Sequence, residues 1–107
     1  MINKVSPYAI PGIPRLDTPE NIFQTVCDLY EMSPVKVMKN RKLRKIPYPE
    51  IRQITMTLIK NKLNFSYKKS ANFFLLDHAT AMHAEKTINN LRETDKVFFR
   101  KTNFLFR

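Results

Sequence analysis

The sequence predicts an all-α bundle of five to six helices. Three observations predict it. Thr18, Ser33 and Ser66 each stand as a helix N-cap ahead of apolar residues at helical spacing. The 107 residues hold one glycine and no tryptophan, which disfavours a turn-dense β fold. Apolar residues make up 43% of the chain, enough for one modest core in one domain.

Residues 1–17 carry Pro7, Pro11 and Pro14 and read as an extended, polyproline-like arm. Either the arm is disordered, or Ile10, Ile13 and Leu16 fold back on the domain; both arrangements stay open. Thr18-Pro19 opens the first helix, with proline at its first position. Ile22, Phe23, Val26, Cys27 and Tyr30 form its apolar stripe. Ser33-Pro34 repeats the signal for a short second helix, Pro34 to about Asn40, with Val35 and Met38 expected inward. A basic loop, Arg41 to Tyr48, follows, and Pro47 and Pro49 are expected to keep it extended. Pro49 or Glu50 starts a long third helix. Its stripe is Ile51, Ile54, Thr55, Leu58 and Ile59, and it ends near Leu63. Ser66 caps a fourth helix, Tyr67 to about Phe74, and Leu75-Leu76 forms the turn after it.

Asp77 caps the next helix, its carboxylate placed to accept the amide hydrogen of Ala79 or Thr80. Ala81, Ala84, Ile88 and Leu91 share one face, at steps of three, four and three. His78 and Thr80 lie off that face, at an exposed helix tip. The free amides of such a tip carry partial positive charge and suit a phosphate backbone and base edges. Asn89-Asn90 reads as a weak point. Glu93 to about Phe104 reads as a last helix or a continuation, anchored by Val97, Phe98 and Leu105. Phe98 is expected to pack on the first helix, with Phe104 and Phe106 partly free. The chain thus divides into an arm (1–17), a helical domain (18–92) and a C-terminal helix or tail (93–107).

The formal charge of +10 implies an acidic polyelectrolyte partner. From Val35 to Lys62 there are nine Lys or Arg and a single acidic residue, Glu50, so the charge is clustered. The lone cysteine, Cys27, permits no intrachain disulfide and lies on an apolar face, where core packing outweighs a catalytic thiol. No apolar run approaches transmembrane length, and the N-terminus lacks a signal peptide's apolar core. A cytoplasmic protein without a membrane contact fits these features. An enzyme does not. His78 and His83 diverge by about 140° on a helix and make no metal pair. With Gly12 as the one glycine there is no phosphate-cradling loop. No cofactor, metal or small-molecule substrate is expected. His83, one position from Ala84, is expected to serve core packing or a helix-to-helix hydrogen bond.

Asp77-His78-Ala79-Thr80, followed by Met82-His83-Ala84 and Ile88, resembles the signature of the DNA-binding C-terminal domain (domain IV) of the bacterial replication initiator DnaA. Arg41-Lys42-Leu43-Arg44-Lys45 resembles that family's basic loop. Arg52-Gln53-Ile54-Thr55-Met56 resembles the start of its long central helix. Ser66 followed by Phe74 matches the first helix of its helix-turn-helix. The likeness runs from about Glu20 to about Leu91. It implies a Trp-repressor-like helix-turn-helix that binds duplex DNA. By resemblance, Arg44 enters the minor groove. His78 and Thr80 read major-groove base edges, and Asp77 adds a cap and an acceptor for a cytosine amino group. Arg41, Lys42, Lys45, Lys68, Lys69 and Lys86 are the expected backbone contacts. This sequence departs from the family at four places: Leu75 replaces the turn glycine, Leu76 a basic residue, Ala79 a hydroxyl residue and Ala81 a valine. The fold is expected to survive these changes, with the site preference reduced or moved.

The expected function is sequence-specific binding of double-stranded DNA by a stand-alone domain, in replication or transcription control, without ATPase activity. The alternative is a protein-interaction module on the same fold, using the arm or the Phe-rich C-terminus. The charge also permits structured RNA.

Overall fold

The computed structural model describes residues 16–107. The expectations for Pro7, Pro11, Pro14, Ile10 and Ile13 lie outside them. Among the described residues the fold is all-helical: α1 (Pro19–Leu29), α2 (Pro34–Lys39), α3 (Tyr48–Leu63), α4 (Tyr67–Asn72), α5 (His78–Thr94), α6 (Lys96–Thr102), and a 3-10 turn, Asn103–Leu105. This is the expected helix-turn-helix bundle.

The local chemistry of the starts is uniform. Thr18, Ser33, Ser66, Asp77 and Asp95 each adopt extended backbone and accept a hydrogen bond from the amide three residues on. Proline follows directly at Pro19 and Pro34, where its missing amide costs nothing. Helix ends are less conventional. Glu31 and Leu75 take left-handed backbone, with φ of 55° and 59°. Each is the hinge of a Schellman motif. Around Glu31, the Met32 amide donates to the Cys27 carbonyl and the Glu31 amide to Asp28. Around Leu75, the Leu76 amide donates to Ala71 and the Leu75 amide to Asn72. Glycine ordinarily fills that position; here a glutamate and a leucine do, at a cost of roughly 1–2 kcal/mol each.

α3 is the central post. It packs against α1, α4 and α5, and α6 packs chiefly on α5. Its burial is wider than a stripe. Tyr48, Ile51, Arg52, Ile54, Thr55, Met56, Thr57, Leu58 and Ile59 are all buried. Ile22, Val26 and Cys27 come to it from α1, Phe74 from the helix-turn-helix turn, and Ala81, Ala84 and Ile88 from α5. Phe23, Phe73 and Phe74 meet edge to face at 5.1–5.3 Å, which ties α1 to the turn. Burial pushes the Cys27 thiol up to about 12, with Asp28 adding to it, so this sulfur is a packing group.

Two ends of α3 are tied by the same trio of residue types. Near its start, the Tyr30 hydroxyl donates to Glu50, while the Lys101 ammonium lies 3.7 Å from the same carboxylate oxygen and 4.4 Å from the Tyr30 ring centre. Near its end, the Tyr67 hydroxyl donates to Glu85, and the Lys60 ammonium lies 3.6 Å from Glu85 and 4.7 Å from the Tyr67 ring centre. The first trio joins α3 to α6 and the end of α1. The second joins α3, α4 and α5.

Several expectations need correction. Val35 points out, 74% exposed, and Val37 is the buried residue of α2. The inward face is Pro34, Val37 and half-buried Met38, the i, i+3, i+4 set counted from the first helical residue. The basic loop is not extended. It folds as two turns, closed by the Leu43 amide on Asn40 and the Tyr48 amide on Lys45. α3 consequently starts at Tyr48, with Pro49 inside its first turn. α4 stops at Asn72, because Phe73 to Leu75 are used in the Schellman turn. Asn89-Asn90 is no weak point: both lie on the exposed side while Ile88 and Leu91 hold the inner side, and α5 runs to Thr94. Val97 is 70% exposed and anchors nothing. Phe98 is buried in the core that the α1 residues share, and α6, which carries it, packs chiefly on α5. Two expectations for this end hold: Leu105 is fully buried as an anchor, and Phe104 and Phe106 are partly buried against the core and partly free.

Candidate nucleic-acid interface

The first turn of α5 is built around Asp77. One carboxylate oxygen accepts the Thr80 amide at 3.0 Å and the Thr80 hydroxyl at 2.8 Å. Those two bonds, the hydroxyl first, hold the Asp77 carboxyl below the ordinary aspartate range. The Thr80 hydroxyl proton is therefore committed, leaving its oxygen lone pairs as acceptors. Asp77, His78 and Ala79 are exposed and Thr80 is half-buried. Ala81 and Ala84 seat the helix on the core through small side chains. The tip contributes nothing to the core beyond its cap, so its outer residues are at liberty to meet a ligand.

The basic loop presents Lys42, Arg44 and Lys45 to solvent, with Arg41 half-buried. Lys68, Lys69 and Lys86 are exposed on α4 and α5. Lys69 is held over the Phe65 ring at 4.1 Å, so its ammonium is positioned and not merely solvated. His83 departs from expectation. It is exposed, and its Nε2 lies 3.4 Å from the Thr87 hydroxyl on its own helix. It neither packs in the core nor bridges to another helix, because position 83 sits outside the Ala81–Ala84–Ile88 face.

One residue of this region has no role assigned by sequence pattern. Arg52 is only 8% exposed. Its guanidinium donates to the main-chain carbonyls of Asn40 at 3.3 Å and Leu43 at 2.8 Å. Burial, and then the nearby charge of Arg44, lower its pKa. A signal exists in the sequence: Arg52 shares a helix face with Thr55, Met56 and Ile59, which makes it the lone cation on a buried stripe. The Tyr67–Glu85–Lys60 trio has no such signal, since its members come from three helices.

No helix among the described residues is long and apolar enough to cross a membrane. The family model described as the bacterial dnaA protein helix-turn-helix matches residues 19–88. Over 82 residues, the chain is 37% identical to the chromosomal replication initiator protein DnaA of Bacteroides thetaiotaomicron. That match covers 76% of this chain and 17% of the relative, so the chain spans about a sixth of the relative's length. No solved structure matches the chain. The matched span opens at the first residue of α1 and closes within α5, taking in the basic loop, the central post, both helices of the helix-turn-helix and the Asp77 cap. On fold, signature and sequence match together, the chain belongs to the family of bacterial DnaA helix-turn-helix domains.

Proposed function

We propose that this chain binds double-stranded DNA with sequence preference, in the control of replication initiation or of transcription, and that these 107 residues have no ATPase activity of their own. The observation that carries this reading is the Asp77-capped tip of α5: a doubly bonded cap, with His78 and Ala79 exposed beside it, on a helix-turn-helix of the DnaA family. In this reading Asp77, His78 and Thr80 meet base edges in the major groove and Arg44 enters the minor groove. Arg41, Lys42, Lys45, Lys68, Lys69 and Lys86 neutralise phosphates and set the register. The formal charge of +10 supports it.

The competing interaction-module reading is weakened by the fate of the C-terminal aromatics. Phe98 is buried, and Phe99 and Phe106 flank the Arg92 guanidinium at 4.9 and 4.4 Å. Most of that aromatic surface is spent inside the chain. A selection of bound duplexes from a random pool, followed by a salt titration of the best one, tests the proposal. Enrichment of a common site and an affinity that falls steeply with salt are expected. No enrichment and weak, salt-insensitive binding would refute it.

A further inference from the structure

We propose that Arg52 is a positioning residue for duplex binding: it holds the basic loop in shape from beneath and touches no nucleic acid itself. The inference rests on the DNA-binding reading above. Its guanidinium clasps both ends of the four-residue turn Asn40–Leu43, donating to the first carbonyl and the last. The turn's own hydrogen bond, Leu43 amide to Asn40 carbonyl at 2.9 Å, closes the same ring of atoms. The Asn40 side chain ties the turn back to α2 through the Lys36 carbonyl at 2.8 Å. Arg41 and Lys42 occupy the two corners of this turn, and Arg44 leaves it directly. Arg41, Lys42 and Arg44 therefore take their direction from a backbone that Arg52 grips.

The chemistry of the clasp is unusual for a purely structural side chain. A cation is buried within reach of the Arg44 charge, and its hydrogen bonds go to neutral carbonyls and not to a carboxylate. The arrangement is costly in the free protein, as the lowered pKa of Arg52 reflects. An apolar side chain would fill the same helix face at lower cost. A guanidinium brings something an apolar group lacks: a rigid planar fork that fixes two carbonyls at once. A phosphate arriving at Arg44 would relieve its repulsion of Arg52, so loop shape and duplex binding reinforce each other.

The test is Arg52→Lys, with Arg52→Gln as a second variant and circular dichroism to check folding. Lysine keeps the charge and loses the fork. Duplex affinity should fall roughly tenfold, about the worth of one charge-assisted hydrogen bond. In a chain whose Arg41, Lys42 and Arg44 are already alanine, Arg52→Lys should change affinity little, because its effect runs through those side chains. In the free protein, exchange of the Leu43 amide hydrogen should quicken about tenfold while the α1 amides keep their protection. Additive losses of affinity in the combined variant would overturn the positioning role and leave a general structural one. Unchanged exchange at Leu43 would overturn the clasp. A wild-type chain that binds no duplex refutes the DNA reading, and with it the link to binding, while the exchange experiment still judges the clasp.

Discussion

Asp77 and Thr80 are joined twice, amide to carboxylate and hydroxyl to the same carboxylate oxygen, and that joint fixes where α5 begins. The two residues should consequently respond differently to substitution. Thr80→Ala removes the hydroxyl bond and the γ-methyl but no charge. It should lower the ratio of specific to non-specific duplex affinity by roughly tenfold, with non-specific affinity nearly unchanged. Thr80→Ser keeps the bond to Asp77 and loses the methyl alone. Binding titrations on selected and scrambled duplexes check both; an equal loss on all duplexes would mean that this tip does not read bases.

Asp77 also predicts a pH dependence. Its carboxyl is held low in the folded chain, so its contribution is full above the unfolded aspartate value of about 3.9. It is lost as pH falls through the lower folded value. Asp77→Asn retains an acceptor and should flatten that part of the acid dependence. Thermal midpoints followed from about pH 6 to about pH 2 for both chains would show it. Parallel curves would count against the cap.

Leu75 is 66% exposed and left-handed, so its side chain gains little and its backbone costs something. Leu75→Gly should stabilise the fold by up to about 1 kcal/mol, the relief of the left-handed strain less the extra freedom of glycine in the unfolded chain. Leu75→Ala should not. Chemical denaturation of the two variants decides the matter.

The basic loop should supply much of the affinity for any duplex, with Arg44 adding a minor-groove contact. Replacing Arg41, Lys42, Arg44 and Lys45 together by alanine should weaken binding to every duplex. The slope of log affinity against log salt should fall by up to about 0.9 for each phosphate that is no longer neutralised. An unchanged slope would make the loop a solvated connection.

Leu105 is fully buried, so the C-terminal residues belong to the core. Leu105→Ala should cost about 2–5 kcal/mol in unfolding experiments. Removing residues 103–107 should do at least as much harm, because Phe104 and Phe106 leave with it and Arg92 is left with one flanking ring in place of two.

What can be read from the chain, and what cannot, divides by range. Caps act over three residues, so Thr18, Ser33, Ser66 and Asp77 announce their helices plainly. Asp95 is harder to see, because Asn89-Asn90 looks like a break ahead of it; that pair is solvent-facing, where polar residues interrupt nothing. Val35 can be taken as inward because a six-residue helix offers too few residues to set its phase. Arg52 is inconspicuous because a lone arginine in an amphipathic pattern normally belongs to the solvated face. Only the fold of the loop above it reveals two carbonyls waiting for a donor. The two Tyr–Glu–Lys trios lie beyond any local pattern, since their members sit on different helices.

Those trios bear on how a duplex would have to behave. Glu50 ties the first turn of α3 to Tyr30 and Lys101, and Lys60 ties its last turn to Glu85. A post gripped at both ends neither rolls nor tilts, and α5 is seated on that post. If α5 reads bases as proposed, a helix so fixed has little give of its own. In docking, any misfit would fall to the DNA, which would bend or change its groove width to meet the protein. The energy of that distortion varies with the base steps being distorted. Preference in a selected site should accordingly extend to positions that no side chain reaches, with flexible pyrimidine–purine steps favoured where the helix axis has to yield.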